Sequence, residues 1–170
     1  MNKYEGEYYG SALKSFIVAL GHSQALIEKI LSDHGVAGID PERWYELNWA
    51  ISIYTMIAKQ VGSRAITSVG LSMIETAPFP PDLKSVRDVL ASLDAAFHLN
   101  ARGPSTGGIV TTLDEERSAS IEWTAPGPCA LNVGIIQGCC NRFGARALVE
   151  HGATGCMDRG APSCTYLVTW

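Results

Sequence analysis

The sequence predicts an α+β chain, and three observations lead to that class. Apolar residues recur at helical spacing through roughly the first hundred positions, and after "ARGPSTGG" the period changes to two. One apolar stretch of helix length, "CALNVGIIQGCCNRFG", then interrupts the strands. The expected architecture is an N-terminal layer of four or five helices followed by a β-β-α-β-β antiparallel sheet unit. A single domain over residues 1–170 is expected, with a helical part over 1–100 and an α/β part over 105–170.

Each element has its own signal. "SALKSFIVALG" places Leu13, Phe16, Ile17 and Leu20 on one face and stops at Gly21, and "HSQALIEKILSDHG" repeats the scheme to Gly35. "DPERWYELNWAISIYTMIAKQVG" predicts a long helix with Asp40 as cap and Pro41 at its first position. "SRAITSVGLSMIETA" is a further helix, ended by "PFPP", and "DLKSVRDVLASLDAAFHLN" predicts another, capped by Asp82. "IVTTL" and "SASIEW" alternate as a hairpin around "DEER". Beyond the glycine-bearing helix, "ARALVEHGAT" and "CTYLVTW" read as two more strands.

Composition narrows the function classes. With 46% hydrophobic and 18% charged residues the chain can build a packed core. A net charge of -4 with scattered Lys and Arg gives no footprint for nucleic acid. "MNKYEGEYYG" lacks the basic start and apolar run of a signal peptide, and "LNWAISIYTMIAKQV" is interrupted by Asn48, Ser52, Thr55 and Lys59, so no membrane span is expected. A cytoplasmic protein is expected. In that compartment its five cysteines read as core residues, metal ligands or redox groups before disulfides.

Cys156 and Cys164 flank the turn "MDRGAPS", and Cys129 stands at the mouth of the glycine-bearing helix. Three thiolates can converge on one ion, and zinc prefers four ligands, for which Glu150, His151 and Asp158 are the local candidates. The alternative is that these cysteines are small buried hydrophobes. Adjacent Cys139 and Cys140 point about 100° apart on a helix and read as packing residues. His98 lies at a helix end, where histidine favours the dipole. No P-loop, GxGxxG, GxSxG or HExxH occurs, and no nucleophile, base and oxyanion set assembles, so a non-catalytic role is expected.

The C-terminal pattern C-x4-G-x3-G, strand, C-x7-C, strand, carried by Cys129, Gly134, Gly138, Cys156 and Cys164, resembles the vinyl-4-reductase domain family. In aromatic-sensing members of that family the three cysteines bind zinc together with a glutamate three residues before the middle one. Here that position is Ala153, so the resemblance implies zinc on Cys129, Cys156 and Cys164 with Glu150 or His151 as substitute. The same fold superfamily holds the haem nitric-oxide binding (H-NOX) domains and the small subunits of the TRAPP tethering complex. "VLASLDAAFHLN" followed by two strands and "GIIQGCCNRFG" looks like the H-NOX order, which places His98 where a haem ligand would stand. The Tyr-x-Ser-x-Arg motif that grips haem propionates is replaced by Trp123, Ala125 and Gly127, so haem is not expected.

The resemblance implies a sensory domain that binds a small hydrophobic molecule between helices and sheet and signals through a protein partner or a homodimer. Trp44, Trp49, Tyr54, Met73, Phe97 and Trp123 are the candidate pocket residues. Two further readings come from the same superfamily. One is a non-catalytic adaptor acting by protein–protein contact, and the other is a tetrapyrrole vinyl reductase, for which no reductant site is visible.

Overall fold

The computed structural model describes residues 3–170. Strand β1 (Glu5–Tyr9) leads into two short helices, α1 (Gly10–Leu13) and α2 (Ser15–Ala19), and then α3 (Gln24–Asp33). A short strand β2 (Trp44–Glu46) precedes α4 (Leu47–Met56), which continues as a π-helical turn over Ile57–Val61, and α5 (Ser63–Thr76) follows. Helices α6 (Val86–Ala91) and α7 (Leu93–Asn100) run into β3 (Ala101–Ser105). The remainder is β4 (Ile109–Leu113), β5 (Ser118–Trp123), α8 (Cys129–Arg142), β6 (Leu148–His151) and β7 (Cys164–Thr169). The α+β class and the closing β-β-α-β-β unit are as expected.

The closing unit forms a four-stranded antiparallel sheet in the order β4-β5-β7-β6. Its alternation is complete: Ile109, Ala119, Ile121, Trp123, Cys164, Tyr166 and Val168 are buried on one face, while Val110, Glu122 and Leu167 are exposed on the other. Helix α8 lies over the inner face, and α5 packs along α8. That contact needs glycine, because a Cβ on Gly70 would overlap the Leu131 carbonyl and one on Gly134 would overlap the Thr67 carbonyl.

Several features depart from expectation. Two segments expected as single helices are each divided, into α1 with α2 and into α6 with α7. A second sheet, β2-β1-β3, lies within the part expected to be helical. It is stabilised by side chains across the strands: Arg102 Nε donates to Glu7 Oε2 at 2.7 Å, and the Arg102 guanidinium sits 4.1 Å from the Trp44 ring centre. The long helix from Asp40 is replaced by a turn and β2. Asp40 instead accepts from Glu42 N–H at 2.9 Å, and Glu46 caps α4 by accepting from Asn48 N–H at 3.0 Å and Trp49 N–H at 2.6 Å. Asp82 does not cap either, since it sits at φ 64°; Ser85 does, accepting from Asp88 N–H at 3.1 Å.

Candidate functional site: an apolar cavity and a Cys3His cluster

Helices α4, α5 and α7 stand off the inner face of the four-stranded sheet and leave a cavity of about 50 Å3. Tyr54, Met73, Phe97 and Trp123 line it, and Tyr8, Asn100, Leu131 and Asn132 are among the wall residues that were not anticipated. Trp44 and Trp49 are elsewhere, a correction with a clear cause. Trp44 packs against Tyr9 with ring centres 4.9 Å apart across β1 and β2, while Trp49 stacks on Tyr45 at 5.2 Å and donates its indole N–H to the His34 carbonyl at 3.3 Å. Trp44 belongs to the second sheet, and Trp49, on α4, packs against Tyr45 of that sheet, an arrangement the helical reading of residues 40–62 concealed.

No Asp, Glu, Lys, Arg or His is among the residues that line the cavity. Burial pushes the Tyr8 phenol up to about 12, against a small opposing effect of its bond with Tyr54, and pushes Tyr54 well above the usual tyrosine range, so both stay neutral. A larger open groove of about 930 Å3 runs between the π-helical turn and the start of α8 and shares Ile51 and Pro126 with the cavity wall.

Next to the cavity, Cys129, His151, Cys156 and Cys164 present ligand atoms that all lie within 4.8 Å of one another. Cys129 Sγ is 3.1 Å from both Cys156 Sγ and Cys164 Sγ and 3.8 Å from His151 Nε2. These spacings are on the scale of one tetrahedral shell, whose sulfur–sulfur edge is about 3.8 Å for Zn–S bonds of about 2.3 Å. His151 Nδ1 lies 2.8 Å from the Gly152 carbonyl oxygen, a contact that requires Nδ1 to carry the proton and leaves the Nε2 lone pair facing the sulfurs. Met157 N–H donates to Cys164 Sγ at 3.1 Å.

Each member is placed by a different element. Cys129 opens α8, which has no side-chain cap of its own; Asp158 serves instead, its Oδ2 accepting from Cys129 N–H at 3.1 Å. Asp158 is therefore occupied at the helix end. Glu150, a candidate ligand, pairs with exposed Leu167 and faces outward, whereas His151 pairs with Tyr166 and shares the inner face with Cys164. Strand alternation decides between these two neighbours. Ala153 is exposed in the loop beyond β6. Within the cluster, burial and then the neighbouring Cys156 and Cys164 thiols push the Cys129 thiol far up, with the Tyr166 hydroxyl acting in the opposite direction. Cys139 and Cys140 are buried apart from this group, and burial raises Cys140 to about 11.

Tyr166 joins the two features. Its hydroxyl accepts from Asn132 Nδ2 at 3.1 Å, its ring meets His151 edge-on at 5.3 Å, and it meets Trp123 edge-on at 6.2 Å. The sequence carried a signal for it, because alternation in "CTYLVTW" puts Tyr166 on the Cys164 face.

Among solved structures, the fold is that of the H-NOX domains. The chain superposes on an H-NOX protein from Shewanella oneidensis in the Fe(II)NO ligation state with a TM-score of 0.67 and 14% identity, covering 94% of this chain and 97% of that one. An oxygen-binding H-NOX domain related to soluble guanylate cyclases gives 0.64 and 14% over 94% and 89%. A structure from work on heme distortion in the H-NOX family gives 0.71 and 15% over 95% and 94%. At these identities the likeness is one of fold. No family model matches the sequence, so the vinyl-4-reductase resemblance stays a matter of cysteine spacing. No curated protein matches it either.

The expectation against haem gains no support from these neighbours, which are named for haem chemistry. The residues themselves were placed as follows. His98 is exposed, its Nδ1 lies 2.9 Å from the Asp94 carbonyl oxygen, and it is not part of the cavity wall. The cavity is far smaller than the several hundred Å3 of a typical cofactor site, and buried Trp123 forms part of its wall. In this conformation the residues do not fit haem. None of the helices among the described residues is long and apolar enough to cross a membrane.

Proposed function

We propose that this chain is a small-molecule-binding sensory domain. An uncharged, largely apolar molecule occupies the cavity between α4, α5, α7 and the sheet, and Cys129, His151, Cys156 and Cys164 bind one zinc ion. The observation that carries the reading is the apolar cavity, free of charged side chains and connected through Asn132 and Tyr166 to the cysteine cluster. Zinc with four protein ligands is closed to substrate, so it supplies rigidity rather than catalysis. The output passes to a protein partner or a second copy of the chain. Mass spectrometry of gently released material tests the pocket: a small neutral molecule travelling with the protein is the expected result, and a protein that neither carries nor takes up one favours the adaptor role.

The H-NOX fold favours haem as a second occupant, with His98 as the residue at the corresponding helix end. Binding would require the wall that includes Trp123 to move outward and His98 to turn inward. A Soret band after haem reconstitution, lost in His98→Ala, supports that reading, and its absence removes it.

A further inference from the structure

We infer that the cavity selects a small neutral molecule whose polar head both accepts and donates one hydrogen bond, as a short aliphatic alcohol or primary amide does. This deepens the small-molecule reading and rests on it. Trp123 and Asn100 both line the cavity, are 3% and 4% exposed, and each holds a buried polar atom with no partner: the indole Nε1–H of Trp123 and the amide Oδ1 of Asn100.

The polarity of each orphan is settled by its surroundings. An indole nitrogen can only donate. Asn100 Nδ2 donates to the Pro78 carbonyl at 2.9 Å and to the Ala96 carbonyl at 2.8 Å, so turning the amide over would set its oxygen against two carbonyls. Oδ1 is therefore an acceptor awaiting a donor. Buried unpaired groups of this kind are uncommon in folded proteins, and here one donor and one acceptor belong to residues of the same cavity wall. Thr76 Oγ1 is also buried and unpartnered, but Thr76 is not part of the wall.

Size and charge complete the description. About 50 Å3 admits a ligand of a few heavy atoms, given that one water needs about 10–15 Å3. With no Asp, Glu, Lys, Arg or His on the wall, a charged head would be buried without a counter-charge.

The test is titration of full-length, zinc-loaded protein with four probes of similar size, followed by the indole N–H signals in a two-dimensional NMR spectrum. 1-Propanol and propionamide can satisfy both orphans, butanone can only accept, and 1-chloropropane can do neither well. The Trp123 signal, assigned by its disappearance in Trp123→Phe, should move downfield with the alcohol or the amide. One of these two should bind about tenfold tighter than butanone, the scale set by leaving a buried group unpaired. Whichever binds tighter identifies the head. Trp123→Phe should reduce affinity for the preferred head while leaving 1-chloropropane unaffected; if that variant does not fold, the ranking of the four probes on the wild-type protein decides alone. Equal binding of all four probes overturns the selectivity but leaves the apolar pocket standing. Binding of none overturns both.

Discussion

Asn132 Nδ2 donates to the Tyr166 hydroxyl at 3.1 Å, and that one bond joins the wall of the apolar cavity to the strand that carries Cys164. Both residues are buried, so the bond has no solvent replacement. Tyr166→Phe keeps the ring but leaves the Asn132 amide unpaired, at an expected cost of about 1–3 kcal/mol. Denaturant unfolding measures it. The same substitution should weaken any effect of cavity ligands on zinc affinity, which a zinc competition assay with and without ligand would show.

Metal stoichiometry separates His151 from its neighbours. Purified protein should carry about one equivalent of zinc, and Cys129→Ser, Cys164→Ser and His151→Ala should each lower the retained amount under chelator challenge. Glu150→Ala should not, because its side chain lies on the opposite face of β6. Equal zinc loss in Glu150→Ala and His151→Ala would mean that the register of β6 differs from the one described.

Close approach of α5 and α8 predicts sensitivity at Gly134. A Cβ there meets the Thr67 carbonyl, and backbone cannot move aside as a flexible side chain would. Gly134→Ala should destabilise by about 1–3 kcal/mol despite the better helix propensity of alanine. Since α8 carries Cys129, zinc retention should fall with it.

Glu46 predicts a pH dependence. Burial alone would raise its carboxyl, but bonds from the Asn48 and Trp49 N–H groups outweigh this and hold it below the ordinary glutamate range. A depressed carboxylate stabilises the fold fully above its unfolded pKa, and the contribution is lost as pH falls through the folded value. Glu46→Ala should therefore cost on the order of 1 kcal/mol at neutral pH, with the gap to wild type narrowing in acid. Thermal unfolding across pH 3–7 checks both statements.

Much of the fold was legible because local pattern records local geometry. The helical spacing of "QALIEKIL" and the alternation of "SASIEW" and "CTYLVTW" emerge as α3, β5 and β7. Residues 40–62 misled for a physical reason: Asp40 and Pro41 form a plausible helix start, yet Trp44, Tyr45 and Glu46 gain more by pairing with Tyr9, Tyr8 and Glu7 of β1. The same pairing removed Trp44 and Trp49 from the cavity. Of the cysteine cluster, Cys129, Cys156, Cys164 and His151 were all candidates from spacing and chemistry, while Glu150 and Asp158 were equally open until their directions were known.

The sequence by itself determined the class, the closing β-β-α-β-β order and which residues face a core, because these depend on the two backbone periods. Only the tertiary structure decided which of those residues share a space. Cys129 and Cys164 meet although thirty-five positions separate them. Asn100 and Trp123 acquire unpaired atoms only because α7 and β5 bound the same cavity. Such neighbourhoods arise from packing between distant segments, and no local period encodes them.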